Sequence, residues 1–179
     1  YSKGLLEYKN GKFRRYTSKD GLSDERIVEI YEDRFGNLWL GTPTGIKKMK
    51  NNKFTSFGSK EGVPAHIWSI SEDHTGTLWA GSIGGGLFQF RNDRFTPFLP
   101  ITEKGIYCFL KDSENNFWIG TISGLYRINK GNITKYTTPV FPAEKVTELL
   151  EDRKGNLWIS TTNGLVRFRQ DSFESFSAE

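Results

Sequence analysis

Cysteine is almost missing from this chain. Cys108 stands alone among 179 residues, so no internal disulfide framework holds the fold together, and the redox compartment is left open. Histidine is nearly as scarce: His66 and His74 are the two present, and neither has metal-ligand spacing to a second His or Cys. No apolar run approaches the roughly 18–20 residues of a membrane-spanning helix, and no signal-peptide pattern opens the chain. A signal or a membrane anchor would therefore lie outside this segment. Helical periodicity is never sustained over three turns, and no nucleophile elbow, phosphate loop or zinc motif occurs. Net charge is only +4, mildly basic and no more.

What the chain has in excess is rings and glycine. Aromatic residues make up 15% and there are 19 glycines, which points to many turns, short strands and a core built by ring packing. These residues recur at a fixed period. EDRFGNLWLGT (32–42) returns as EDHTGTLWAGS (72–82), KDSENNFWIGT (111–121) and EDRKGNLWIST (151–161), with Trp39, Trp79, Trp118 and Trp158 spaced by 40, 39 and 40 residues. A glycine and an aliphatic residue follow each copy, as in Gly45-Ile46 and Gly124-Leu125. Then comes an apolar pair three apart: Phe54 and Phe57, Phe95 and Phe98, Ile133 and Tyr136, Phe173 and Phe176. Gly4-Leu5 with Phe13 and Tyr16 supplies the tail of a further unit.

Each unit reads as four short strands, the last two joined by Asn, Gly, Lys and Asp as tight hairpins require. A period of about 40 residues with four antiparallel strands is the mark of a β-propeller blade. The expected fold is all-β: an outer half-blade over residues 1–17, then blades over 25–58, 66–99, 105–137 and 145–177.

The repeated motif has a structural reading throughout. Asp33, Asp73, Asp112 and Asp152 open the turn between the first two strands, where a carboxylate accepts backbone N–H groups. Gly36, Gly76, Asn115 and Gly155 suit a left-handed residue. Trp39, Trp79, Trp118 and Trp158 fall where neighbouring blades pack, and Gly41, Gly81, Gly120 and Ser160 stay small for close approach. As calcium ligands the acidic pairs fall short, because one Asp and one Glu per turn give too few oxygens and Lys111 replaces one of the Glu.

The string ED-x-x-GNLWIGT-x-x-GL followed by F-x-x-F/Y resembles the two-component regulator propeller repeat, over nearly the whole chain from Gly4 to Phe176. The resemblance implies the sensor region of a bacterial hybrid two-component histidine kinase, located in the periplasm and responding to carbohydrates, with membrane and kinase modules elsewhere. It carries over no binding residues, since the family has no universal set, and its members typically have many more blades.

Function should therefore show where the units differ. The loops between units (17–26, 58–66, 99–105, 137–145) and those between second and third strands share one face, and loops on a rigid scaffold are the usual carriers of binding. Val28, Trp68, Tyr107 and Thr147 are equivalent positions at the start of the innermost strand. Trp68 and Tyr107 could stack on a sugar face or simply plug the channel. Ser82-Ile83-Gly84-Gly85-Gly86 has one residue more than its counterparts, so Gly84 and Gly85 could admit a ligand or mark a plain insertion. Arg26, His66, Lys104 and Lys145 border the same face, as hydrogen-bonding groups or as solvated loop charges.

Basic residues such as Lys47, Arg94, Arg127 and Arg167 spread around the outer strands. That distribution blunts sheet edges instead of forming the stripe that nucleic acid needs, so no nucleic-acid partner is expected. No cofactor is implied, and membrane contact would come only through segments not present. Three classes remain: a ligand-sensing propeller; a protein-interaction or architectural propeller that associates with another copy or with the rest of a longer ring; and a lyase, because a propeller lyase acting on cyclic peptides has a loosely similar repeat. The lyase would need a His and a Glu converging on one face, for which only His66 is suitably placed.

Overall fold

The computed structural model describes residues 4–22 and 26–176; residues 23–25 of the expected loop 17–26, and the ends of the first and last units, lie outside the described residues. Among the described residues there are four four-stranded antiparallel sheets and one two-stranded sheet, all in simple sequential order. The two-stranded half-blade is β1 (Leu5–Lys9) and β2 (Lys12–Tyr16). The first blade is β3 (Glu29–Glu32), β4 (Leu38–Thr42), β5 (Gly45–Lys50) and β6 (Lys53–Phe57). The second is β7 (Ile67–Glu72), β8 (Leu78–Ser82), β9 (Gly86–Arg91) and β10 (Arg94–Pro97). The third is β11 (Ile106–Lys111), β12 (Phe117–Thr121), β13 (Gly124–Asn129) and β14 (Asn132–Tyr136), and the fourth is β15 (Val146–Glu151), β16 (Leu157–Thr161), β17 (Gly164–Arg169) and β18 (Ser172–Phe176). Short 3-10 turns over Ser18–Asp20 and Ser59–Glu61 follow the half-blade and the first blade. Among the described residues no helix is long and apolar enough to cross a membrane.

Each blade uses one face against the next. Trp39, Ile46 and Phe57 of the first blade pack on Ile70, Phe88 and Phe95 of the second. Trp79 and Leu87 meet Phe117 and Ile119 of the third, and Trp118 and Leu125 meet Leu157, Ile159 and Val166 of the fourth. The half-blade joins through Leu5 and Tyr16, which pack against Leu22 and Leu40. Close approach requires the small column. A Cβ at Gly81 would lie 2.5 Å from Ile106 Cγ2, and one at Gly120 would lie 2.6 Å from Val146 Cγ1.

The Asp-led turns do more than close a hairpin. Asp33 accepts the backbone N–H groups of Phe35 (3.0 Å) and Asn37 (2.8 Å), the Asn37 side-chain amide (2.7 Å) and the Trp39 indole N–H (2.8 Å). The indole bond recurs at Trp79–Asp73, Trp118–Asp112 and Trp158–Asp152. Sequence spacing does not disclose this six-residue bond, which locks the ring between blades to the turn at the blade's end. Burial on its own would raise the Asp33 carboxyl, but the bonds from Trp39, Asn37 and Phe35 outweigh it and hold the group below the ordinary carboxylate range. The turns also tie blade to blade, because the Arg34 backbone N–H donates to the buried Glu72 carboxylate (3.1 Å) and that of Ser113 to Glu151 (2.9 Å). Gly36, Gly76, Asn115 and Gly155 all have φ between 65° and 88°.

The first blade has a shorter inner strand, and Pro43 is the reason. In the other blades the N–H of Ile83, Ile122 or Thr162 donates to the carbonyl of His66, Gly105 or Lys145, just ahead of the inner strand. Pro43 holds the equivalent place and has no N–H, so β3 begins two residues later than its counterparts, at Glu29.

Candidate functional site

The inner strands β3, β7, β11 and β15 stand side by side, and the loops ahead of them gather at one end of the channel they line. Arg26, His66, Gly105 and Lys145 occupy equivalent repeat positions ahead of these strands, so three of the four carry a basic or imidazole side chain. Arg26, His66 and Trp68 come together with Val28, Pro43, Ile67 and Ile83 around a cavity of about 200 Å³. His66 is held in the left-handed region (φ 58°), uncommon for a residue with a Cβ though less so for His. Its N–H donates to the Pro43 carbonyl (2.9 Å) and its own carbonyl accepts from Ile83 (3.0 Å). Two loops of neighbouring blades thus fix the backbone while the imidazole faces outward.

Trp68, 44% exposed, is shared with a second cavity of about 430 Å³ reached along the channel. All four inner strands line it, through Glu29, Ser69, Tyr107, Cys108, Thr147 and Glu148 among others. Tyr107 lines this cavity together with Trp68, and the Lys145 ammonium lies 4.3 Å from the Tyr107 ring centroid, a cation–π pair that orients both groups. The sequence-predicted residues therefore form two groups, Arg26–His66–Trp68 around the first cavity and Tyr107–Lys145, paired at the equivalent level of the neighbouring blades.

Gly84, Gly85 and Lys104 are not among the residues lining either cavity. The Gly84 N–H donates to the Lys104 carbonyl (2.6 Å). A Cβ on Gly85 would lie 2.5 Å from Pro64, so what closely approaches that glycine is the chain's own Pro64. The extra residue in this loop also redirects Ser82. Its hydroxyl donates to the Ala65 carbonyl (2.6 Å), whereas Thr42, Thr121 and Thr161 each cap the glycine three residues on in their own loop.

A second column, missed in the sequence, lies three residues beyond the basic one: Glu29, Ser69, Cys108 and Glu148, paired across the ladder with Gly41, Gly81, Gly120 and Ser160. Three strand residues span about 10 Å, so a tier with two carboxylates stands below a tier with three basic or imidazole groups. Burial pushes the Glu29 carboxyl up to about 7, with Glu148 adding in the same direction and an N–H from Ile70 partly offsetting it. Burial likewise raises the Cys108 thiol, and Glu148 reinforces that. The signal for this column was the repeat register itself, read one position beyond Val28, Trp68, Tyr107 and Thr147.

His74 lies away from this face. Its Nε2 is 3.2 Å from the Asn116 carbonyl in the neighbouring Asp-led turn. Among the described residues no three His, Cys, Asp or Glu are grouped so as to hold a metal ion.

Comparison with known proteins adds to this geometry. Residues 21–44, 100–123 and 141–163 match the two component regulator propeller model. A 42-residue stretch is 38% identical to Histidine kinase P4 of Formosa agariphila, covering 24% of this chain and 3% of that protein. The fold is similar to the extracellular domain of a hybrid two-component system of B. thetaiotaomicron, at a TM-score of 0.83 and 20% identity, over 96% of this chain and 26% of that one. It is also similar to the extracellular domain of a one-component system of the same organism (TM-score 0.76, 22% identity, 99% and 29% covered). Virginiamycin B lyase from Staphylococcus aureus shares the fold at a TM-score of 0.71 and 16% identity, with 94% and 60% covered. The chain thus spans little more than a quarter of the extracellular domains it resembles.

Proposed function

We propose that this chain of two-component regulator propeller repeats is a non-catalytic ligand-binding segment of an extracytoplasmic sensor, and that its ligand is a small hydroxyl-rich molecule of the oligosaccharide class. The observation that carries the reading is the convergence of Arg26, His66 and Trp68 on one cavity at the channel mouth. The exposed indole there offers a flat apolar surface for the C–H face of a pyranose, and the guanidinium and imidazole offer hydrogen bonds to its hydroxyls. The Tyr107–Lys145 pair offers the same chemistry at the equivalent level of the neighbouring blades. Localisation outside the cytoplasm is supported by the fold's likeness to extracellular domains.

The non-catalytic part rests on the placement of the histidines. His66 borders the mouth cavity while the carboxylates Glu29 and Glu148 line the deeper one, and His74 is bound to Asn116 in the Asp-led turns. Titration calorimetry against a panel of neutral and acidic oligosaccharides tests the reading. Saturable binding is expected, weakened by roughly tenfold or more in Trp68→Ala, whereas Lys104→Ala should leave it unchanged. Absence of binding to any oligosaccharide, by this chain and by longer proteins that contain it, would sink the proposal.

A further inference from the structure

The three interfaces between complete blades share one register, and the middle one departs from its neighbours. In the ladder each second-strand tryptophan faces a third-strand residue: Lys48 for Trp39, Gln89 for Trp79 and Arg127 for Trp118. At the two flanking interfaces that residue is a cation over the indole. The Lys48 ammonium lies 4.8 Å from the Trp39 ring, and the Arg127 guanidinium 5.6 Å from the Trp118 ring. The following blade adds two rings, Phe90 with Phe95 or Phe168 with Phe173, each pair 4.8 Å between centroids. Phe90 and Phe168 meet their tryptophans edge-on, at 4.9 and 5.2 Å.

Between the second and third blades all three places change. Gln89 stands where the cation does, and the ladder pair Ile128–Ile133 stands where the two rings do. Phe117 returns one ring, 5.9 Å from Trp79, at a register position that Leu38, Leu78 and Leu157 hold in the other blades. The space that remains is a cavity of about 410 Å³, walled by Trp79, Phe98, Phe117, Ile128 and Ile133 and bordered by Gln89. Ile133 is left 36% exposed. The Gln89 Oε1 is buried and has no hydrogen-bond partner among the described residues. Buried acceptors are normally satisfied, so the recess is short of a donor as well as of a ring.

Charge at the rim selects the ligand. Arg91 and Lys130 line the recess from its two blades, both are exposed, and neither makes an ion pair among the described residues. The one carboxylate there, Asp73, already accepts from the Trp79 indole (2.8 Å) and from the N–H groups of Thr75 (2.9 Å) and Thr77 (3.0 Å). The corresponding recess between the third and fourth blades is lined instead by Glu114, Glu151 and Asp171, together with Arg127. Gln89 and Arg91 sit two residues apart on one face of β9, roughly 7 Å along the strand, about the reach from hydroxyl to carboxylate across a para-substituted ring. We propose that this recess binds a small phenolic acid. Its ring lies against Trp79 in the space that phenylalanines fill at the flanking interfaces. Its hydroxyl donates to Gln89 Oε1, and its carboxylate sits between Arg91 and Lys130. The recess is at the Asp-led-turn end of β7, the end away from His66, so the proposal is independent of the reading of the channel mouth.

Titration calorimetry with three probes of one shape tests this. 4-Hydroxyphenylacetate should bind saturably at one site. Phenylacetate, which lacks the hydroxyl, should bind roughly tenfold more weakly, and tyramine, which carries an ammonium in place of the carboxylate, should not bind. Arg91→Ala with Lys130→Ala, changed at exposed positions, should weaken 4-hydroxyphenylacetate by roughly tenfold or more. Ile128→Phe with Ile133→Phe gives this interface the rings of its neighbours and should abolish binding, with far-UV circular dichroism verifying the fold; should that variant not fold, the alanine pair decides. Trp68→Ala should bind the phenolic acid like the parent, which separates this site from the channel mouth. No saturable binding up to millimolar concentration, tyramine binding as well as the acid, full-strength binding by the alanine pair, or loss of binding in Trp68→Ala would each overturn the proposal.

Discussion

Replacing Asp33 by Ala should be among the most damaging single substitutions in this chain, and the reason is what it strands. The carboxylate accepts from the backbone N–H groups of Phe35 and Asn37, the Asn37 amide and the Trp39 indole. Asn37 and Trp39 are 3% and 1% exposed, so their donors have no water to turn to. A buried donor left without a partner costs about 1–3 kcal/mol. Two to three such donors, softened by any water entering the vacated space, give a loss of about 3–5 kcal/mol, a large fraction of the roughly 5–15 kcal/mol that holds a typical domain folded. Trp39→Phe removes the indole donor together with its need for an acceptor. It should therefore cost about 2 kcal/mol less in the Asp33→Ala background than in the parent. Urea unfolding followed by far-UV circular dichroism measures all four corners of this cycle. The equivalent Asp152→Ala change should be milder, because Trp158 is only half-buried and its indole N–H can turn to water, although Asn156, at 4% exposed, still loses its acceptor. A loss under about 1 kcal/mol for Asp33→Ala, or the same cost for Trp39→Phe in both backgrounds, would refute the reasoning.

Gly81→Ala should destabilise by about 1–3 kcal/mol through overpacking, since the new methyl meets Ile106 at 2.5 Å; Ser160→Ala should stay within about 0.5 kcal/mol, and equal unfolding midpoints for the two would contradict the close-approach argument. Glu29 supplies a pH signature. Its folded carboxyl is raised from 4.5 to about 7, so the folded state holds that proton more tightly than the unfolded state. This group's stabilisation is then complete below about pH 4.5 and is lost as pH rises through about 7. Solvent reaching the carboxyl keeps the amplitude well below the full linkage value. The groups facing Glu29 are Glu148 and the Ile70 N–H, so Glu29→Gln should flatten the fall in melting temperature between pH 5.5 and 7.5, and an unchanged slope would exclude Glu29 as its source.

The repeat makes most of the architecture legible in the sequence. A tryptophan every 40 residues or so, with a turn residue before it and a glycine after it, sets strand order and register because each blade must bury the same ring between neighbours. Register alone also aligned Val28 with Trp68 and Tyr107, while Arg26, His66 and Lys145 were legible only as residues bordering one face. Reading it one position further would have added Glu29 and Glu148. Other features depend on the path of the chain in space. The six-residue bond from indole to aspartate exists because the turn curls the carboxylate over the ring edge, which the letters D and W do not encode. The reach of Glu72 into the preceding blade's turn depends on how the two sheets pack. Gly85 and Lys104 stood out as sequence irregularities, yet Pro64 and a backbone hydrogen bond account for their placement. Most of all, Trp118 and Trp158 have the same neighbours in sequence and different surroundings in space. Trp118 is sealed by the fourth blade while Trp158 is half-buried among the described residues, and burial belongs to the neighbour as much as to the residue.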